Sequence, residues 1–289
     1  MTAIGDAETL MAFGPRWPAV PRYRVGCTGW GYDDWVGPFY PPGAQPAEYL
    51  GRYARVFDTV EVDSSFYRAP SAFLARRWAS QTPDGFLFSV KVPQDVTHKA
   101  REPFNAGALA TFLSGIEPLR TAQRLGPLVA QFPPSFREPS GSARLGEILD
   151  AIPRSYALAV ELRHASWWGR ETLARLEERH AALVWSVYPG VHPPHRTTAE
   201  FVYARFVGDR ALTKFDRIQR DGRPLMEEMK RHFDDEGRSA RDIFVLLNNH
   251  YMGFGPGTAQ VMQEVLGVPK ADLTAAGRAA GQQELERFG

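Results

Sequence analysis

Glu61 and Asp63 alternate with Val60 and Val62 in TVEVDSS (59–65), and Glu161 and Arg163 alternate with Val160 and Leu162 in ALAVELR (157–163). A period of two is that of a β-strand, so within each run the charged residues share one face and the aliphatic residues the other. The same alternation sends Lys91 of FLFSVKV (86–92), Gln131 of PLVAQFP (127–133) and Arg205 of FVYARFV (201–207) to the charged face, with Asn248 or Asn249 of DIFVLLNN (242–249). Three acids (Glu61, Asp63, Glu161) then meet three bases (Lys91, Arg163, Arg205), the balance that enclosed charges require. Carboxylates beside bases can move protons or hold an anion, and crowding of such groups shifts their pKa values. His98, His164 and His250 each follow a strand-like run. With Asp63 and Glu161 as oxygen donors, they make a set that suits a divalent metal such as zinc, manganese or iron.

Eight strand-like runs supply these positions: the six above, YRVGCTG (23–29) and ALVWSVY (182–188). Stretches of helical periodicity lie between most of them, at 47–57, 71–80, 107–119, 142–152, 171–181, 224–237 and 257–267. Strand then helix, repeated through the chain, predicts α/β architecture: a single (β/α)8 barrel of TIM type. An open doubly wound sheet would carry a Gly-rich phosphate turn after its first strand, and GCTGWG (26–31) lacks the GxGxxG spacing. The sixth unit departs from the pattern, because YPGVHPPHRTTAE (188–200) is Pro-rich and reads as a loop. The barrel is expected over 21–270, between an N-terminal extension (1–20) and a C-terminal tail (271–289).

The chain has 289 residues with a net charge of +1, which argues against coating nucleic acid through bulk positive charge. Cys27 is the only cysteine, so neither an intramolecular disulfide nor a cysteine-based zinc cluster can form. The first residues do not read as a signal peptide, and no apolar run reaches the roughly 20 residues that span a bilayer. A cytoplasmic protein with no membrane association is the expectation.

GCTGWGYDDWVGPFYP (26–41), FDTVEVDSSFYRAP (57–70), VKVPQDVTH (90–98), GPLVAQFPPSF (126–136), AVELRHASWW (159–168) and LLNNHYMGFGP (246–256) resemble, in order, the motifs of the YecE-like family, domain of unknown function 72. The resemblance implies the same barrel and supplies no established reaction. It places weight on Trp30, Glu61, Asp63, Phe66, Tyr67, Lys91, His98, Gln131, Glu161, Arg163, His164, Trp167 and Asn249. Where the family resembles an Arg-x-His-Gly pattern, this chain has Arg205, Phe206, Val207 and Gly208, without the imidazole.

Three chemistries compete. A metal site would draw on the histidines. Glycoside hydrolysis would need an acid and a base or nucleophile about 5–9.5 Å apart, with Trp30, Tyr32, Trp35, Phe66, Tyr67, Trp167 and Trp168 lining the rim. However, Arg163 and Lys91 would keep the acids ionised. Anion recognition needs the fewest assumptions, with Lys91, Arg163 and Arg205 converging. GFGPGTAQ (253–260) would offer helix N-terminal amides with Thr258 as N-cap, and Lys214, Arg217 and Arg220 follow nearby. The expectation is an enzyme, a hydrolase or isomerase acting on a phosphorylated, nucleotide or nucleic-acid-derived substrate. Asp63, Glu161, His98 and His164 would be catalytic; Trp30, Glu61, Tyr67, Lys91, Gln131, Arg163, Trp167, Arg205 and Asn249 would bind substrate. A non-catalytic anion-binding or protein-interaction barrel is the remaining alternative.

Overall fold

Valine and other β-branched or aromatic residues fill eight short runs, and each becomes a strand: β1 (Arg22–Thr28), β2 (Thr59–Val62), β3 (Leu87–Lys91), β4 (Leu125–Gln131), β5 (Leu158–Glu161), β6 (Ala181–Val187), β7 (Phe201–Phe206) and β8 (Asp242–Leu247). In the computed structural model, which describes residues 20–99 and 102–278, they pair in parallel and in chain order. β8 closes on β1 to make a barrel.

The helices are α1 (Pro46–Tyr53), α2 (Ala72–Ser80), α3 (Gln94–Thr97), α4 (Ala106–Thr121), α5 (Ser142–Ala151), α6 (Arg170–Arg179), α7 (Arg223–Asp235), α8 (Asn249–Met252) and α9 (Gly255–Leu266). All seven helical stretches expected from periodicity are present. None of the described helices is long and apolar enough to cross a membrane. Residues 1–19 of the expected N-terminal extension and 279–289 of the expected tail lie outside the described residues. The start of that tail packs onto the barrel, with the Ala271 and Ala276 carbonyls accepting from Gln260 of α9 and Arg52 of α1.

Two apolar layers follow from the strand alternation. Val60, Val62, Leu158, Val160 and Leu162 join the large core between strands and helices. Val129, Ala159, Ala182, Val184, Tyr203 and Leu246 form a separate core inside the barrel. This interior packing sits beneath the charged residues and closes the barrel below them. Arg24, paired with Asp242 at 3.3 Å, occupies its opposite end.

No helix joins β6 to β7. Pro189, Pro193 and Pro194 lack the N–H that a helix interior needs, and the segment is stitched onto β6 instead. The Thr198 hydroxyl accepts from Leu183 N–H at 2.8 Å and donates to the Ala181 carbonyl at 2.7 Å. A gap therefore opens beside α7 where a sixth crossover helix would lie.

The loop after β7 also depends on local geometry. Gly208 has φ +77°, and a Cβ there would stand 2.3 Å from the carbonyl oxygen of His250. Gly208→Ala should destabilise the protein by about 1–3 kcal/mol or more, from overpacking and a left-handed backbone together. Urea unfolding of the variant measures this, and an unchanged midpoint would contradict the tight apposition of this loop and α8.

Candidate functional site

The charged residues predicted to face inward meet at the C-terminal end of the strands. Arg205, at the end of β7, is the centre. Its Nε and Nη2 donate to the two oxygens of Glu61 at 2.9 and 2.5 Å, a bidentate pair. Its Nη1 donates to Glu161 Oε2 at 2.5 Å and reaches Gln131 Oε1 at 3.4 Å. The Tyr203 hydroxyl, one layer down, donates to Glu61 Oε2 at 2.8 Å. Glu161 Oε1 accepts from Arg163 Nε at 2.8 Å and from the Ser186 hydroxyl at 3.1 Å. Both glutamates are 0 % exposed, and each has a cation against it.

Above this layer, Lys91 Nζ donates to Gln131 Oε1 at 2.9 Å and lies 3.2 Å from Asp63 Oδ1. The latter contact is an ion pair without hydrogen-bond alignment. The ammonium also sits 4.7 Å from the centre of the Phe66 ring. β2 stops at Val62, earlier than its sequence pattern suggests, because the chain turns at Asp63 into a short 3-10 segment. The Ser65 hydroxyl pins that turn to the carbonyls of Val62 and Lys91 at 2.7 and 2.8 Å. The turn lifts Asp63 out of the buried layer, leaving its side chain 31 % exposed.

Environment separates the three carboxyls. Burial raises the pKa of Glu61, against the pull of Arg205, and the neighbouring Asp63 charge adds to the rise. Burial also acts to raise Asp63, but Lys91 and Arg205 together outweigh it and lower the pKa. Glu161 is lowered to about 2 because Arg205, Arg163 and Lys91 overcome its desolvation.

A cavity of about 380 Å³ opens above these groups, walled by Asp63, Lys91, Gln131, Arg163 and Arg205, with the rings of Tyr32, Phe66, Tyr67, Tyr188 and Phe215 around it. Asp63 is the one carboxylate on the wall among the described residues. Arg163 reaches the wall with its guanidinium 4.9 Å from the Tyr188 ring centre. Among the described residues, no acceptor takes Nη1 or Nη2 of Arg163. Arg210, held at φ +62°, also lines the cavity and has no ion-pair partner among the described residues. Asn249 turns its Oδ1 away, accepting from Trp35 Nε1 at 3.2 Å and Gly255 N–H at 2.8 Å, while its buried Nδ2 has no partner among the described residues.

Several expected residues stand elsewhere. Trp30 packs edge-on against Trp78 and Phe88, outside the cavity. Trp167 is buried, stacked on Phe136 and donating Nε1–H to the Phe136 carbonyl at 2.7 Å. His164 turns to its own loop, where Nδ1 accepts from Ser166 N–H at 3.1 Å. His98 meets the Phe66 ring edge-on and its Nδ1 lies 2.9 Å from the Thr97 hydroxyl, behind the cavity wall. Glu61 and Glu161 lie beneath the wall.

The expected N-cap is also displaced. α9 begins at Gly255, whose N–H is taken by Asn249, and Thr258 lies inside the helix with its hydroxyl on the Phe254 carbonyl. Arg217 and Arg220 pair with Asp216 and Asp209, and neither they nor Lys214 line the cavity. No three His, Cys, Asp or Glu side chains among the described residues come together to hold a metal ion. His98, His164 and His250 each have separate surroundings, so the residues present do not fit the divalent metal that the sequence allows.

Sequence reasoning misses Tyr188 and Arg210. Tyr188 has a readable signal, since it follows Ala182, Val184 and Ser186 on the inward face of β6. Arg210 has none, because a left-handed loop residue carries no periodicity.

Burial and the charge of Lys91 lower the His98 pKa to about 4, and burial with His232 does the same for His195. Both folded-state values lie below the ordinary 6.5, so the unfolded chain takes up protons first as pH falls. Stability should therefore drop between pH 6.5 and 4, by on the order of 1 kcal/mol per histidine at pH 5 after allowance for solvent access. Urea midpoints at pH 7.5 and 5.0 test this, and His98→Gln should remove part of the difference. A midpoint that does not fall on acidification would contradict it.

A family model described as "Protein of unknown function DUF72" matches residues 24–283. The UPF0759 protein YunF of Bacillus subtilis is 25 % identical over 274 residues, covering 86 % of this chain and 96 % of that one. The UPF0759 protein YecE of Escherichia coli is 30 % identical over 146 residues, half of each chain. The crystal structure of a DUF72 family protein from Thermotoga maritima superposes with a TM-score of 0.74 at 29 % identity, covering 85 % of this chain and 99 % of that one.

Proposed function

The chain belongs to the DUF72 family of proteins of unknown function, and from that premise we propose that the rim cavity binds a phosphorylated, ring-bearing substrate and turns it over with Asp63 as general base. The observation that carries this reading is the pair of unpartnered Arg163 Nη groups facing a cavity that also receives Lys91 and Arg210. A planar guanidinium with both Nη groups available matches two oxygens of a phosphate, and its packing against Tyr188 fixes its plane. Tyr67, 74 % exposed at the cavity edge, offers a face on which a nucleobase or other ring can stack.

Asp63 is ionised at neutral pH, so it can accept a proton and cannot donate one. Glu161 lies out of reach of the cavity and acts as a positioning residue, orienting Arg163 through Nε. Carboxylate-pair glycoside hydrolysis is less well supported. It needs a protonated carboxyl facing the sugar, and the raised carboxyl, Glu61, is sealed beneath Arg205.

Thermal shift with matched pairs tests the proposal: nucleoside 5′-monophosphates against nucleosides, and sugar phosphates against sugars. A phosphate-bearing compound at ten times its Kd should stabilise the protein by about 1.4 kcal/mol, with no response to its uncharged partner. Stabilisation by uncharged sugars alone would favour the glycosidase reading and overturn this one.

A further inference from the structure

A second cavity, of about 450 Å³, occupies the gap left where no helix joins β6 to β7. That volume falls within the range of small-molecule sites, about 300–1,000 Å³. Val191, Pro193, Leu225 and Met229 give it an apolar lining, and Tyr188 forms a wall that it shares with the rim cavity. His195 stands edge-on to Trp185, with its ring centre 3.8 Å from that of His232. It presents a neutral aromatic ring there. Among the described residues Arg220 is the one arginine or lysine on the lining, and Asp209 neutralises it at 2.7 Å. Asp221 and Glu228 have no ion-pair partner among the described residues. The rim cavity carries the opposite balance, with Lys91, Arg163, Arg205 and Arg210 against Asp63.

We propose that this cavity is a separate ligand site for a small apolar or aromatic amine. The ring or chain would lie against Leu225, Met229 and Tyr188, and the ammonium group at Glu228 and Asp221. Apolar burial supplies most of the affinity, and the two carboxylates select a cation over an anion of the same shape. The site does not depend on what the rim cavity binds.

Tryptamine and indole-3-propionate, which share a ring and differ in charge, are suitable probes, titrated by calorimetry and by thermal shift. Tryptamine should bind at least tenfold more tightly than indole-3-propionate. Leu225→Trp should abolish tryptamine binding by filling the cavity; Leu225 is half exposed, so the fold tolerates the larger ring. Glu228→Gln with Asp221→Asn should weaken tryptamine about five- to tenfold, and the asparagine keeps the acceptor for Arg223 N–H. Equal binding of the two probes, no binding of tryptamine, or binding that survives Leu225→Trp would each overturn the proposal. Leu225 lines this cavity and not the rim cavity, so loss of tryptamine binding in Leu225→Trp separates the two sites.

Discussion

Replacing Arg205 with methionine should destabilise the protein by about 3–5 kcal/mol, the range for removing one partner of a buried ionic network. The reason lies in the geometry around it. Glu61 and Glu161 have no solvent exposure, and Arg205 is the cation they share. Without it, among the described residues Glu61 keeps only the Tyr203 hydroxyl as a direct hydrogen-bond donor, and Glu161 keeps Arg163 and Ser186. Both would have to be protonated or stay charged with too few donors, and either outcome favours unfolding at neutral pH.

A companion variant separates packing from charge. Arg205→Met combined with Glu61→Leu and Glu161→Leu removes all three charges together, and should recover more than half of the lost stability. It should not recover ligand binding, because Arg163 loses the carboxylate that orients it. Urea unfolding compares the single and triple variants. A near-neutral Arg205→Met, or a triple variant no better than the single, would contradict the assignment of Arg205 as the cation that holds the buried acids.

The second large effect falls on ligand binding. Arg163→Met should cost about 1.5–3 kcal/mol of stability, less than Arg205→Met, since Glu161 loses one charge-assisted donor and retains Arg205 and Ser186. Binding of a phosphate-bearing compound should weaken about 10- to 100-fold, the equivalent of one charge-assisted hydrogen bond at about 1.5–3 kcal/mol. Arg205 is thus expected to matter more to the fold and Arg163 more to the ligand.

Much of this arrangement is legible in the sequence because both faces of a barrel strand are dry. Val60, Val62, Leu158 and Val160 declare the helix side, and the polar residues between them are left with only the interior. The alternation alone therefore brings Glu61, Lys91, Gln131, Glu161 and Arg205 together. Even the softer assignment of β7 holds, since Phe201 and Tyr203 pack inside the barrel below Arg205.

Loop residues obey no such rule. Trp30 and Trp167 carry no periodicity, and the short 3-10 turn at Ala165–Trp167 folds the second one under Phe136. Thr258 has the chemistry of an N-cap, but Asn249 of the preceding short helix α8 takes the first N–H of α9. The alternation reaches Asp63 only by extending β2 beyond its true end, and Asp63 meets Lys91 because Ser65 pins the turn that follows.

The most direct test of the account is a calorimetric titration of a nucleoside 5′-monophosphate into the protein and its Arg163→Met variant at low ionic strength. Saturable binding to the unaltered protein is expected, with at least a tenfold loss in an Arg163→Met variant that remains folded at the temperature of the titration. Equal affinity in the two proteins, or binding by neither while the uncharged nucleoside binds both, would contradict it.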